Sequence, residues 1–547
     1  MDTVHPQQSV AKQGSWLGAF AHSAFAVVWA ANTIALIGIA MYDTTSGWLM
    51  TSLDLDPFDV SLLRVATTAP MFLITLPAGA IADIFDPRRL ILVVSCAIVV
   101  LMTIFGATVA FDLATPVLLL GVTFLLSAAW SLNSPAWLSI LPNLVPQSDL
   151  PGAIAAHGVA YNLSRTLGPV LGGLVIAKLG MSMTIWGFAA ANLSVVAALL
   201  WWRGPRKQKE PLPAERLGAA VRTGLRHVAN NRLLRATLIR TLAIYPFTAA
   251  YWGLLPLIAR RTGGGAEHYG LLLSAISAGA ILGSVGQRIV RERISLDSGV
   301  VLGTLGAAAA LVLFGMAQEL WVALSASILA GAAWLTVLTN LYLAAQNVLP
   351  AWVRGRGLAA FLTVIFGAMT IGSAFWGEVA SRFGLTQALY VAAAGLLAAI
   401  PLTWRRKLEQ GAAIDLSPSL HWGAPRASLD IDNDRGPILV KIEYRIDPND
   451  RADFLRALDE LGQERRRDGA FAWGVFEDAG AFGRFEEAYL IESWLELMHL
   501  RERVTNTDRM LEEEIRQMLK EPPRIEFLVA AEREPLFGKR RIAPAGA

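Results

Sequence analysis

The sequence predicts an all-α membrane protein with twelve transmembrane helices in two six-helix halves, followed by a C-terminal α+β domain of ferredoxin-like fold. Hydrophobic residues make up 54% of the 547 residues and charged residues 17%, against about 25% charged residues in soluble domains. Apolar stretches of about 20 residues, the length that crosses a bilayer, recur through residues 1–407. The net charge then changes from +11 in residues 1–407 to −8 in residues 408–547.

Each predicted span is an apolar stretch that carries at most one charged residue. The fifth span contains Arg165, and the second is expected to extend back past Arg64. Because a span needs about 20 mostly apolar residues, the stretches define twelve helices. They are 13–42, 65–82, 90–111, 113–148, 151–177, 179–202, 241–259, 268–287, 298–318, 320–353, 357–377 and 383–404.

The loops between these spans differ strongly in positive charge. Twenty Lys and Arg residues fall on one side of the alternating arrangement and four on the other. Cytoplasmic loops carry the excess of Lys and Arg. We therefore expect both termini and the central loop to lie in the cytoplasm.

The two halves repeat each other at an offset of about 204–208 residues. Gly79 near the end of span 2 corresponds to Gly283 near the end of span 8, and Asn133 of span 4 to Asn340 of span 10. A parallel repeat of this kind places a substrate cavity between the halves near the middle of the membrane; the alternative is that membrane helices share small residues and loop prolines in any case. The predicted boundaries are 1–202 and 236–407 for the halves, 203–235 and 408–436 for linkers, 437–532 for the soluble domain and 533–547 for a tail.

The segment Gly79-Ala-Ile-Ala-Asp83-Ile-Phe-Asp86-Pro-Arg88-Arg89 closes span 2. It resembles the loop 2–3 signature of the major facilitator superfamily, although Ile84 and Asp86 stand where the family often has Arg and Gly. The resemblance implies that Gly79, Asp83, Arg88 and Arg89 form an inner gate, held by charge-assisted contacts. A simple basic loop that sets the orientation is the alternative.

The segment Asn162-Leu-Ser-Arg165-Thr-Leu-Gly168-Pro169-Val-Leu-Gly172-Gly173 lies in span 5. It is similar to the helix 5 signature of proton-linked exporters of the same superfamily. Glycines four residues apart form a smooth stripe for close helix contact, and a proline can kink the helix. We predict a gating role for Arg165, Gly168, Pro169, Gly172 and Gly173; an Arg bonded to carbonyls in a packed interface is the alternative.

Several short motifs, among them Trp48-Leu-Met-Thr51 and Val353-Arg354-Gly355-Arg356, look like the branch that contains the enterobactin exporter and other transmembrane secretion effectors. In this architecture helices 1, 4, 7 and 10 line the cavity. The substrate-binding candidates are Asn32, Asn133, Tyr245, Trp252 and Asn340, with helix packing as the alternative role for each.

The tail predicts the element order β-α-β-β-α-β, which is ferredoxin-like. Its strands are expected at 438–446, 471–477, 485–493 and 524–531, and its helices at 447–467 and 494–519. The stretch Ile491-Glu-Ser-Trp494…His499 resembles domains of the antibiotic-biosynthesis monooxygenase type. That resemblance implies dimerisation or regulation, and a homodimer through this domain is a further expectation; catalysis with Trp473, Trp494 and His499 is the less favoured alternative.

Together these features predict a secondary active transporter, not an enzyme, that exports a small siderophore-like or drug-like organic molecule by alternating access, with expected proton coupling. The chain has one cysteine and no Gly-Lys-Ser/Thr phosphate loop, so we expect no metal, no cofactor and no direct use of ATP. The expected partners are the substrate and membrane lipid, and no nucleic acid. The sparse acids of the spans, Asp43 and Glu378, and His157 are open candidates for proton transfer. A membrane-tethered enzyme resembling a monooxygenase is the alternative.

Overall fold

The computed structural model describes residues 18–84, 86–204, 226–290, 293–350, 352–408, 417, 419, 431–432 and 435–531, with the backbone alone at 76–84, 290 and 501–502. The chain divides into two compact units. The helical unit comprises Met1–Glu215, Ala236–Ala345 and Leu358–Gln410. The sheet unit comprises Arg216–Arg235, Gln346–Gly357 and Gly411–Ala547.

Twelve long helices occur within these described ranges before residue 408, which confirms the predicted fold class. Eleven of them are long and apolar enough to cross a membrane. The remaining one, α5, has 30 residues and is less apolar because it carries polar residues such as Asn162 and Arg165. The helices are α1 (Ser23–Leu53), α2 (Pro57–Ile84), α3 (Pro87–Ala110), α4 (Pro116–Ile140), α5 (Leu150–Leu179), α6 (Met181–Trp201), α7 (Arg232–Arg261), α8 (Ala266–Val290), α9 (Leu296–Met316), α10 (Leu320–Asn347), α11 (Arg354–Phe383) and α12 (Leu385–Thr403).

The predicted end of the first span was wrong, and the expected extension of the second span past Arg64 is confirmed. Helix α1 continues to Leu53 instead of ending at residue 42, and α2 begins at Pro57. The prediction stopped the first span at the charged residue Asp43. A charged side chain does not end a membrane helix when it faces the protein interior instead of lipid, and both residues therefore lie well inside their helices.

Close contacts between helices form at glycines, in a pattern that repeats between the halves. In α5, a Cβ atom on Gly168 would lie 2.4 Å from Cβ of Ala40 in α1. In α11, a Cβ atom on Gly372 would lie 2.4 Å from the Pro246 carbonyl oxygen in α7. Because α1 and α7, and likewise α5 and α11, are equivalent positions in the two halves, this correspondence agrees with a six-helix repeat. Small residues allow such backbone approach in membranes.

The described part of the sheet unit has four antiparallel strands in the order β2-β3-β1-β4, which is the ferredoxin-like order and confirms the predicted α+β domain. The strands are β1 (Ile438–Arg445), β2 (Ala472–Glu477), β3 (Arg484–Ile491) and β4 (Arg524–Val529). Helix α13 (Arg451–Asp468) connects β1 to β2. Pairing of this domain with a second copy stays a prediction.

The helix predicted at 494–519 is two helices, α14 (Trp494–Arg503) and α15 (Asn506–Gln517). Thr505 separates them in an extended conformation, and its hydroxyl accepts a hydrogen bond from the Asp508 backbone N–H. The Asp508 carboxylate accepts one in turn from the backbone N–H of Thr505. This reciprocal capping box starts a new helix. It explains why residues 494–519 form two helices instead of one.

A polar group lies at the centre of the sheet unit's core. Glu487 on β3 is fully buried. Its carboxylate accepts hydrogen bonds from the Tyr444 hydroxyl at 2.7 Å and from the Trp473 indole N–H at 2.9 Å. The Arg465 guanidinium lies 3.6 Å away. A buried carboxylate is tolerated only when paired in this way, and Arg465 pairs in addition with Glu512 at 2.9 Å.

Two segments that precede α7 and α11 are built into the sheet unit. His227 is fully buried, and its ring lies edge-on to the Trp352 ring, with 5.4 Å between centroids. The Arg503 guanidinium also contacts the Trp352 ring, at 4.3 Å from its centroid. Arg226 forms an ion pair with Glu492. The unit therefore depends on 226–235 and 346–357 as well as on the C-terminal residues.

Burial and then the positive charge of Arg467 lower the pKa of His227 to about 3. An unfolded His takes up a proton below about pH 6.5, while the folded protein leaves His227 neutral. The unfolded state then binds more protons, so stability falls as the pH falls from 6.5 towards 3. We expect a loss of about 2 kcal/mol at pH 5 from this residue.

The variant His227→Phe keeps an aromatic ring beside Trp352 and removes the titration. Thermal unfolding of the purified protein, followed by tryptophan fluorescence, should therefore show a smaller drop in midpoint between pH 7.5 and pH 5 in the variant than in the wild type. Equal drops in the two proteins would contradict the role assigned to His227.

Candidate functional site

Three charged side chains from three helices of the first half converge inside the helical unit. They are Asp43 of α1, Arg64 of α2 and Arg165 of α5. Asp43 interacts electrostatically with both arginines. At 1.5 Å per residue, Asp43 and Arg64 lie roughly 10–15 Å along their helices from the α1–α2 loop. We call this group, with the aromatic residues Tyr161, Trp252, Trp334 and Tyr245 around it, the central site.

The Arg64 guanidinium lies over the face of Trp252 in α7, 4.7 Å from the ring centroid. Trp252 in turn contacts Trp334 of α10, with 5.6 Å between ring centroids, and Trp334 contacts Tyr245 at 5.0 Å. The first half thus provides the charges, and the second half provides an aromatic wall. A cation over a tryptophan face is the strongest of the cation–π pairs.

The Arg165 side chain is held within its own helix. Its guanidinium donates a hydrogen bond to the Tyr161 hydroxyl at 3.1 Å, and Tyr161 is the residue one turn earlier in α5. Arg165 and Asp43 are both accessible to a water-sized probe although protein surrounds them. They therefore line an internal space and are not sealed in the packing.

Asp43 and the two arginines do not form an ion pair within 4 Å, as far as the described residues show. A carboxylate that interacts with two guanidinium groups without close pairing leaves room for another group between them. Membrane-embedded charges are costly and are normally matched by a partner. This arrangement is therefore suited to binding a solute or a proton.

Contacts between the halves cluster at the end of the bundle that holds the α1–α2 loop. The Arg260 guanidinium lies over the Trp48 ring at 5.4 Å. Ser381 of α11 donates a hydrogen bond to the Asp56 carboxylate at 2.9 Å. Thr68 of α2 and Thr370 of α11 are hydrogen-bonded at 2.7 Å, deeper in the bundle than Arg64. The passage between the halves is closed at this end.

Helix α5 uses its small residues on two faces. Gly168 and Gly172 face α1, where a Cβ atom on Gly172 would lie 3.0 Å from the Met41 Cα atom. Pro169 and Gly173 face α8 of the other half: a Cβ atom on Gly173 would lie 2.8 Å from the Ala266 carbonyl oxygen. One pair of residues thus packs within the first half and the other at the crossing between the halves.

Two of the four residues predicted to form a gate at the end of α2, Arg88 and Arg89, have described side chains. Arg88 donates hydrogen bonds to the carbonyl oxygens of Leu199 and Trp202 and so caps the end of α6. Arg89 is exposed at the start of α3. Gly79 and Asp83 are described by their backbone alone. The gating role of all four residues stays a prediction.

The five predicted substrate-binding residues lie in three separate places. Tyr245 and Trp252 belong to the central site. Asn32 and Asn133 line a small pocket inside the first half, with room for one or two water molecules. Asn340 donates a hydrogen bond to the Thr336 carbonyl oxygen and packs against Gly299 of α9. Binding by these five residues stays a prediction.

Arg64 and Trp334 belong to the central site although no site role was predicted for either. Arg64 could have been found, because it stands in an otherwise apolar run that continues on both sides. Trp334 gave no such signal among the 17 tryptophans of the chain. Of the other ionisable candidates, His157 lies 3.4 Å from the Asn32 amide, and Glu378 forms an ion pair with Arg382.

The model of the transmembrane secretion effector family, part of the major facilitator superfamily, matches residues 14–535. The chain belongs to this family. The match extends beyond the helical unit through the sheet unit, and it confirms the resemblance found in the sequence.

The matches to curated relatives cover only part of this chain. The multidrug efflux pump Tap of Mycobacterium tuberculosis is 26% identical over 411 residues, which are 71% of this chain and 95% of the relative. The enterobactin exporter EntS of Escherichia coli is 26% identical over 343 residues, which are 61% of this chain and 80% of the relative.

Solved structures share the fold at low identity. The nucleoside transporter NupG is 10% identical with a TM-score of 0.58, and the match covers 70% of this chain and 98% of that one. A bacterial homologue of the human lysosomal transporter Spinster, in an inward-facing and unoccupied conformation, is 14% identical with a TM-score of 0.56; the match covers 70% of this chain and 96% of that one. The family's fold is therefore that of the major facilitator superfamily.

The α5–α8 crossing gives a direct test of the closed end. A Cβ atom on Gly270 would lie 2.3 Å from the Pro169 carbonyl oxygen, so Gly270→Val should push the two helices apart. With Cys96 replaced by serine, a cysteine in place of Ser61, which is buried in α2 near the closed end, should react faster with a water-soluble maleimide in this variant, by about tenfold.

Gly158→Val is the matched control, because nothing lies within 4 Å of a Cβ atom at that position of α5. It should leave the labelling rate unchanged. Equal rates in the two variants would show that the crossing does not hold this end closed.

Proposed function

We propose that this chain is a secondary active transporter that exports a small organic molecule across the bacterial inner membrane by alternating access. The observation that carries the proposal is the central site: three charged side chains inside a twelve-helix bundle whose halves close over them at one end. The names of the relatives, a multidrug efflux pump and an enterobactin exporter, support cargo of the drug-like or siderophore-like class.

The direction of opening follows from the charge of the loops. The loops at the closed end carry four Lys and Arg residues and those at the other end twenty, so the closed end is the periplasmic one by the positive-inside rule. Both termini then lie in the cytoplasm, and this conformation is closed to the periplasm. Cargo would enter the central site from the cytoplasm and leave after the halves rock apart at the closed end.

Two helix pairs are placed to act as joints in that motion. The α5–α8 crossing joins the halves on one side through Gly173 and Gly270. The α2–α11 crossing joins them on the other, where a Cβ atom on Gly377 would lie 1.8 Å from the Ser61 hydroxyl. Contacts between small residues separate without large side chains having to leave pockets. They therefore suit surfaces that open and close in each cycle.

Asp43 is the acid that we assign to proton coupling. It lines the internal space, it interacts with two arginines, and it lies between the closed end and the open interior. The other membrane acid singled out in the sequence, Glu378, is held by Arg382 within one helix. A coupling group must be reachable from each side in turn, and the central position of Asp43 meets that requirement.

Asp43→Asn removes the titratable group and keeps the size of the side chain. In proteoliposomes tested with a panel of radiolabelled siderophore-like and drug-like compounds, an imposed pH gradient should no longer accelerate transport, with a loss of about tenfold or more. Glu378→Gln is the matched control and should retain the acceleration within about twofold. Acceleration by the gradient that survives in Asp43→Asn would exclude this residue as the coupling group.

Several contacts of the sheet unit argue against the alternative that this chain is a membrane-tethered enzyme. The indole N–H of Trp473 is hydrogen-bonded to Glu487. His499 lies 3.8 Å from the carboxylate of Glu496. Burial raises the pKa of Glu496, but hydrogen bonds from His499 and Arg503 outweigh burial and lower this pKa to about 2. Two of the three candidate catalytic residues therefore have structural partners. This supports a non-catalytic role for the unit.

His499→Gln tests this alternative. Export should stay within about twofold of the wild type, because the proposed transport path lies in the helical unit. Arg165→Gln, in the central site, should lower export by about tenfold or more. The enzyme interpretation would be favoured if His499→Gln lost export while present in the membrane at normal levels, and if Arg165→Gln still exported.

A further inference from the structure

The charges of the central site do not balance. Two guanidinium groups face one carboxylate, which leaves one positive charge in excess. The electrostatic neighbours of Arg64 are Asp43, Arg165 and the tyrosines Tyr251 and Tyr269, and those of Arg165 are Tyr161 and Asp43. Asp43 is thus the one acidic neighbour of either arginine among the described residues. An uncompensated cation in the membrane interior is costly.

Arg64 also has unused hydrogen-bonding capacity. Its Nε–H is buried and has no hydrogen-bond partner in the described part of the chain. Beside it, the Trp252 indole N–H interacts with the Tyr251 hydroxyl. Buried donors are nearly always satisfied in native proteins. The unpartnered donor of Arg64 therefore points to a ligand that accepts hydrogen bonds.

We propose that the central site binds an organic anion that carries an aromatic ring, with its anionic group at Arg64 and Arg165 and its ring beside Trp252. This inference rests on the proposed transport function and names the class of its cargo. A carboxylate matches the planar fork of a guanidinium. The single negative charge of such a ligand brings the net charge of the site to zero.

The aromatic wall decides between an organic and an inorganic anion. The Trp252, Trp334 and Tyr245 rings form a continuous series with centroid distances of 5.6 Å and 5.0 Å. Trp252 and Trp334 are partly exposed and can stack on a flat ring, whereas the buried Tyr245 packs behind them. These rings contribute nothing specific to chloride. An organic cation would have only Asp43 to pair with, and it would be repelled by both arginines.

A binding assay with three probes of one shape tests the charge preference. Purified full-length protein is equilibrated with tritiated 2-naphthoate, and unlabelled competitors are added. The neutral competitor is 2-naphthamide, and the cationic competitor is 2-naphthylmethylamine. We expect saturable binding of 2-naphthoate, competition by the amide at least about tenfold weaker, and no competition by the amine.

Variants locate the binding within the central site. Arg64→Gln should weaken 2-naphthoate binding by about tenfold or more, and Arg64→Lys, which keeps the charge and loses the planar fork, should fall between it and the wild type. Trp252→Leu should weaken binding by about three- to tenfold. Arg382→Gln, an arginine outside the central site, is the matched control and should bind as the wild type does.

Several results would overturn the assignment. They are the absence of saturable 2-naphthoate binding, stronger competition by the amine than by 2-naphthoate itself, equal competition by chloride, or unchanged binding in both Arg64→Gln and Trp252→Leu. Outward transport of the amine in proteoliposomes without naphthoate binding would overturn the anion assignment and leave the proposed transport function standing. If none of the labelled panel compounds or the three probes is transported, the transport function falls as well.

Discussion

The cost of placing a charged group in hydrocarbon organises the helical unit. Three charged residues stand within spans that are otherwise apolar, and none of the three can face lipid cheaply. Each therefore turns toward the interior, where Asp43 can interact with Arg64 and Arg165. This one constraint fixes which face of α1, α2 and α5 is internal, and it brings the charged faces of the first half against the aromatic face of the second.

The contacts around this site are made by residues without bulk. Gly168 and Gly172 seat α5 on α1, and Gly173 meets α8. In the second half Gly372 seats α11 on α7, and Gly377 meets α2. A six-helix unit used twice gives both crossings the same construction, in which small residues let the backbones of the two halves approach closely.

The sheet unit solves a different problem, which is how to keep polar groups inside a soluble core. Glu487 is fully buried and accepts hydrogen bonds from Tyr444 and Trp473. His227 is buried neutral beside Trp352. In both cases the protein supplies the partners from distant parts of the sequence. The unit therefore includes the segments next to α7 and α11, because these segments carry partners of its buried polar groups.

Composition and periodicity alone determined the class of this protein: twelve apolar spans, the basic loops, and the β-α-β-β-α-β order of the tail are local properties, and local properties are read directly from a sequence. The glycine spacing of α5 likewise indicated a close crossing. The tertiary structure decided the partners. It showed that Asp43 lies inside α1 and not at its end, that Asn340 packs against Gly299, and that Trp334 joins Trp252 to Tyr245. The physical reason is that the direction in which a side chain points depends on the packing of helices far apart in the chain, and one sequence carries no record of that pairing.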